Sequence, residues 1–261
     1  AQTLAPVTTN RTYANFVLAS GITLSAQSFT NALTVDSLIV ESGASLTLGT
    51  SAGPLVVKGN FVNDGTFNSG VNQGLVFAGS NPQLVRGAGA IAFNNGDSVS
   101  ATASVTLGAN ITVPTGKQHK VTGTFDAGSV QVQGAGGVTV FSGGTLRVRA
   151  STFAGNYAQS GGTIINAGST VEYFSASTQT VDNTLSYSNL TCSGGGTKSI
   201  NAATTVSNTL SVASGTDVRN TSGVAANLTM SGSSGILNVD GTISGANGAG
   251  NDLNLVVSGT Q

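Results

Sequence analysis

The chain has 261 residues, 9 Lys and Arg against 10 Asp and Glu, a formal net charge of -1 and only 7% charged residues. No basic stripe is present to neutralise phosphates, which argues against nucleic acid as a partner, and no apolar run approaches the roughly 18 residues of a membrane-spanning helix. A single cysteine, Cys192, excludes an internal disulfide framework.

Ser, Thr, Asn, Gln and Gly take the place of charge. A chain so close to neutral lacks the self-repulsion that discourages association. Its Val, Ile, Leu and Thr recur in regular alternating runs, a pattern that a disordered chain has no reason to keep. The opening Ala1-Gln2-Thr3 reads as an end left by removal of a signal peptide, so the expected location is secreted, extracellular or at the cell surface.

Residues 1–31 fit the later pattern least well, as a terminal unit that caps a stack would. They read as an N-terminal cap or first rungs, or alternatively a docking arm, with Tyr13, Phe16, Val17 and Leu18 as candidate interface residues. From residue 32 the strands become regular: Leu33-Thr34-Val35, Leu38-Ile39-Val40, Ser45-Leu46-Thr47-Leu48 and Leu55-Val56-Val57, separated by Gly, Asn, Asp and Ser. Their apolar residues alternate with period 2, and no segment shows a capped i, i+3, i+4 pattern, so essentially no helix is expected.

The phrase spanning 38–83 then recurs. Val40-Glu41-Ser42-Gly43 and Leu46 match Val140-Phe141-Ser142-Gly143 and Leu146. Gly59-Asn60-Phe61 matches Gly155-Asn156-Tyr157, Phe77 matches Tyr173, Gln83 matches Gln179, and Phe93-Asn94-Asn95 matches Tyr187-Ser188-Asn189. A partial third copy begins at Leu210-Ser211-Val212-Ala213-Ser214-Gly215. The repeats cover about 38–95, 138–190 and 210–257, and the drift between them falls in Gly-rich loops, where insertions are tolerated. A shorter period of roughly 15–25 residues matches one turn of a β-solenoid.

The expected fold is therefore all-β: a right-handed parallel β-helix over 32–261 with about a dozen coils, a rod on the order of 55–60 Å long. Asn60, Asn63, Asn94, Asn95 and Asn156 near the turns are candidates for side-chain ladders. A β-sandwich is the rival, but it explains the long self-match less naturally.

The phrases 38–48 and 59–67, with Val171-Glu172-Tyr173, Gln179-Thr180-Val181 and Tyr187-Ser188-Asn189-Leu190-Thr191, resemble repeats of adhesin-like, autotransporter-like right-handed β-helix proteins secreted by Bacteroidota. The resemblance covers about 32–220. It implies secretion and a structural role at the surface, and it carries no activity with it. The chain departs from the large family members in being short, with no C-terminal sorting domain visible, which suits a subunit that assembles.

Nothing points to catalysis, a metal or a cofactor. His119 is the only histidine, and the lysines at 117 and 120 suggest an exposed turn. Without a second His or clustered Cys, zinc is not expected, and no G-x-S-x-G elbow precedes a helix. Cys192 reads as a small residue filling a strand position. The carboxylates Asp36, Glu41, Asp64, Asp97, Asp126, Glu172, Asp182, Asp217, Asp240 and Asp252 are dispersed, whereas a glycosidase needs two at close quarters. Glu41 corresponds to Phe141 in the second repeat, so no acid is repeated. The runs at 134–137, 194–196 and 245–250 lack the Lys-Ser/Thr ending of a phosphate loop.

Two features remain as candidate sites. Phe61, Phe77, Phe93, Tyr157, Tyr173 and Tyr187 recur at matched positions as an interior stack, or alternatively as a carbohydrate platform. Leu253, Leu255, Val256 and Val257 form a strand-like run able to pair with another copy, with Tyr13, Phe16, Val17 and Leu18 on the opposite side. The expected function is a non-enzymatic secreted structural protein. It would be a subunit of a self-assembling extracellular filament, sheath or matrix, joined head to tail by end stacking or strand complementation. The alternative is a surface adhesin or glycan-binding module, and a polysaccharide lyase or hydrolase is the remotest reading.

Overall fold

A computed structural model describes residues 10–27, 31–49, 53–69, 74–94, 97–245 and 250–257. It is nearly all strand, with about 2% helix, and its parallel coils stack into a β-solenoid of about 10 turns. The helix is the four-residue Phe153–Asn156. The chain divides into two compact units, residues 1–139 with 157–162 and residues 140–156 with 163–261. The opening residues 1–9, Asn95, most of the 245–250 glycine run and 258–261 lie outside the described residues.

In the first unit, the strand Leu33–Val40 pairs in parallel with Arg11–Leu18 on one side. On the other it pairs with Leu55–Val57 and Phe61–Asn63. In-register stacking turns the period-2 pattern into columns. Leu33, Leu55 and Leu75 form one inward column, and Val35, Val57, Phe77, Val99 and Val121 form the next. Every member is at most 3% exposed. Burying each such side chain stabilises by about 1.5–3 kcal/mol. Residues 11–27, read from sequence as cap, first rungs or docking arm, form rungs of the first unit's stack.

The second unit repeats the device. Val171, Leu190, Leu210 and Leu237 share one column, and Tyr173, Cys192, Val212 and Val239 share the next. A further strand in most coils builds small parallel sheets: Thr23–Gln27, Ser45–Leu48 and Thr66–Asn68 in the first unit, and Gln179–Thr180, Gly196–Ser199, Thr216–Asn220 and Thr242–Gly245 in the second.

The repeated Ser-Gly phrase is a turn at each of its three occurrences. Ala44, Gly144 and Thr216 donate their N–H groups to the carbonyls of Glu41, Phe141 and Ala213 at 2.9, 2.8 and 3.1 Å. Gly43, Gly143 and Gly215 hold φ of 78°, 81° and 74° at the third position, as a type II turn requires. The next coil then rests on this turn. A Cβ at Gly65 would lie 2.4 Å from both the Ala44 and Glu41 oxygens, and one at Gly241 would lie 2.4 Å from those of Ala213 and Thr216. Asp64-Gly65 and Asp240-Gly241 are therefore lids over the turn beneath.

Polar side chains close the corners. Gln83 donates its amide to the Val57 and Gly59 carbonyls at 2.9 and 2.7 Å and accepts from the Gly79 N–H at 2.9 Å. Its repeat partner Gln179 donates to Val148 and Ala150 at 2.9 and 2.8 Å. Asparagines pair between neighbouring coils, Asn94 with Asn68, Asn208 with Asn189 and Asn254 with Asn227. Of the residues expected in ladders, Asn60 accepts from the Leu84 N–H, Asn63 is buried and donates to the Ala90 carbonyl, and Asn156 accepts from Arg149 and Ala150.

Two glycine substitutions separate these constraints. Gly143→Ala meets only the left-handed backbone conformation, with nothing within 4 Å of the added methyl group, at about 1–2 kcal/mol. Gly65→Ala drives a methyl group into two fixed carbonyls and is expected to cost about 3 kcal/mol. Denaturant unfolding of the two variants measures the difference, and equal losses would show that the lid contact relaxes freely.

Candidate functional site: strand edges and buried polar groups

The six matched aromatics all lie inside, each at most 3% exposed. In the first unit they join a file of rings: Phe77 to Phe93 at 6.0 Å, Phe93 to His119 at 5.1 Å, His119 to Phe125 at 4.6 Å and Phe125 to Tyr157 at 6.5 Å. Phe61 packs edge-on against Phe67 at 4.9 Å. In the second unit, Tyr173 and Tyr187 meet through their hydroxyls at 3.0 Å. Asp182 N–H donates to the Tyr173 oxygen at 2.8 Å and Tyr187 donates to the Asp182 carbonyl at 2.6 Å. Burial pushes both phenols well above their ordinary range. None of the six offers a ring face to a sugar.

His119 departs from the sequence reading. It was expected on an exposed turn, but it is fully buried on the strand Gln118–Val121. The flanking Lys117 and Lys120 misled: in a strand, neighbours point to opposite faces, so exposure at 120 implies burial at 119. Burial lowers its pKa to about 3, and the nearby Asp97 backbone opposes this only in part.

Cys192 is fully buried, and its thiol is pushed up to about 12 by burial, with Lys198 pulling the other way. Lys198 was missed in the sequence. It lies inside the second unit and donates to the Ser175 and Gly195 carbonyls at 2.5 and 2.7 Å. Burial lowers its pKa. Among the described residues no three His, Cys, Asp or Glu side chains converge. On the outer face of the second unit, Glu172 accepts from Arg147 and Ser193, both at 2.7 Å, while Arg147 and Arg149 lie over Phe174 at 5.1 and 4.9 Å. These contacts engage the cluster internally. No described helix is long and apolar enough to cross a membrane.

The strand edges expose apolar residues that stand in register with buried ones. Leu253–Val257 pairs with Ala226–Met230, which sets Leu255 over Leu228 and Val257 over Met230. Leu228 and Met230 are 0% and 1% exposed, whereas Leu255 and Val257 are 37% and 46% exposed. Ile236–Val239 repeats the contrast over the strand Thr204–Val212, with Leu237 and Val239 open above the buried Leu210 and Val212. Val256, on the outward face, is exposed, and Leu253 is half-buried. A shallow hollow of about 510 Å³ runs along this edge between Thr191, Ser211, Leu237, Asn238, Val239 and Asp240. Among the described strands none is registered above either edge strand. At Arg11–Leu18, Tyr13 and Val17 are exposed and Phe16 is half-buried, but Leu18 is 4% exposed and belongs to the core.

The site is a pair of β-solenoid edge strands whose inward columns, among the described residues, have no strand registered above them. No protein-family model, characterised protein or solved structure matches the chain.

Truncating the same column one rung apart tests whether the edge is bare. Leu228→Ala is expected to destabilise by about 2–5 kcal/mol, and Leu255→Ala by only about 1–2 kcal/mol, since more than a third of its surface stays in water. Thermal unfolding of both variants reads the difference, and equal losses would mean that the edge is covered in solution.

Proposed function

We propose that the chain is a structural building block, a subunit of an extracellular filament, sheath or matrix that joins further copies edge to edge. The observation that supports this most is the rung-to-rung change in burial: Leu237, Val239, Leu255 and Val257 continue columns whose lower members are sealed. An open strand edge with an apolar inward column is a template for another parallel strand. A second copy carries Tyr13 and Val17, exposed on the first unit's strand Arg11–Leu18, as the complementary surface. The near-zero net charge puts no electrostatic barrier against association. The extracellular placement is supported by a surface of Ser, Thr, Asn and Gly in place of charge.

The test is a paired substitution that charges the edge without entering the core, Leu255→Lys with Val257→Lys. The parent chain is expected to form polymers, seen by light scattering and negative-stain microscopy, and the variant is expected to stay monomeric with its unfolding midpoint retained. A parent chain that is monomeric at high concentration, or a variant that polymerises as the parent does, would overturn the reading.

A further inference from the structure

In the first unit the inward column Leu33, Leu55, Leu75 does not continue as leucine. Ser98 is in register with Val76 below and with Lys120 above. The preceding residues, Asp97 and His119, therefore follow Leu75 in the same column, and both are 0% exposed. Asp97 turns its carboxylate to the coil below, where Oδ1 accepts the Leu75 N–H at 2.5 Å. His119 is stacked on Phe93 and tilted against Phe125, and neither of its ring nitrogens has a hydrogen-bond partner of good geometry.

We propose that His119 is an acid-sensitive release built into the first unit: protonation of its imidazole within the aromatic file opens the coils around it. An imidazolium has two N–H donors, and what the structure sets against it are the Phe93 and Phe125 rings and, from the coil below, Asp97. The Asp97 backbone offsets the burial only in part, and a buried cation with so little compensation is expelled or unfolds its surroundings. The charged and titratable groups near it are few. Asp97 faces it from the coil below and is engaged with Leu75. Asp126, on the strand that carries Phe125, is buried and accepts the Gly128 N–H at 2.8 Å. Tyr157 lies beyond Phe125 with its phenol held neutral by burial. Lys117 and Lys120 flank it, with Lys120 on the outward face. Phe77 and Phe93 bring none.

The sign follows from the two states. In the unfolded chain the imidazole takes its proton near pH 6.5, whereas in the folded chain it resists until about 3. Stability is therefore whole above pH 6.5 and falls as the pH drops through that window, with the open fraction rising up to tenfold per pH unit.

Hydrogen exchange resolved by segment, at pH 7 and pH 4.5 and corrected for intrinsic rates, tests this. Protection over Ser98–Val99 and Gln118–Val121 is expected to fall roughly 100-fold more in the parent than in His119→Phe. Thr204–Val212 and Thr216–Asn220 in the second unit should give the same change in both chains. The chain's one imidazole also gives a single resolvable NMR resonance, which needs no variant. It is expected not to titrate between pH 8 and 5 while the chain is folded. An imidazole that titrates near 6.5 in the folded chain, or a pH profile unaltered in His119→Phe, would overturn the proposal.

Discussion

In-register parallel stacking is the constraint from which the rest of this structure follows. Each inward residue sits on its counterpart a coil below and under its counterpart a coil above. A slip by one residue would turn the whole apolar set outward, so the register tolerates exchange within a column and not displacement along it. Val35, Val57, Phe77, Val99 and Val121 show the exchange that is allowed: volume varies and polarity does not. The turns obey the same rule by backbone alone. A Ser-Gly turn in one coil and a bare Cα in the next let the corner carbonyls close over one another, which explains why glycines recur where no side chain is needed.

Polar groups that enter this stack have to find partners within a coil or two. Gln83 and Gln179 do so by bridging corner carbonyls, and Tyr173 and Tyr187 by sharing their hydroxyls and the Asp182 backbone. Lys198 does so with two carbonyls. Each arrangement answers the desolvation of a buried polar atom with a hydrogen bond, the condition under which such burial is tolerated.

Much of this was legible in the amino-acid sequence and some was not. Period-2 alternation, Gly and Asn punctuation and the self-match of 38–83 with 138–179 specify parallel coils, because only stacking gives a repeated phrase a repeated environment. The match of Gln83 with Gln179 was visible, but its chemistry was not, since a glutamine that bridges carbonyls and one that faces water look alike in a string of letters. Lys198 carried no signal, as lysine is rarely buried unless paired. His119 was recoverable: Gln118-His119-Lys120-Val121 alternates, and Val121 continues an apolar column, so His119 shares its inward face. Reading the neighbouring lysines as a sign of exposure applied a surface rule where a strand rule governs.

The contrast between Tyr187 and His119 carries the last step. Both belong to interior aromatic sets, and both bring polar atoms into a dry core. Tyr187 sends its hydroxyl to a corner, where the Asp182 backbone meets it, so the polar atom stabilises the loop it reaches. His119 is stacked on Phe93 and tilted against Phe125, with its nitrogens buried. A phenylalanine there would continue the file from Phe93 to Phe125 with nothing left unpaired, and packing alone favours it. What histidine adds is a proton-binding atom. Its effect on stability is small above pH 6.5 and grows below it, because the folded coil refuses the proton that the open chain accepts. A stack that derives most of its cohesion from apolar columns is thereby given a residue whose charge is set by pH.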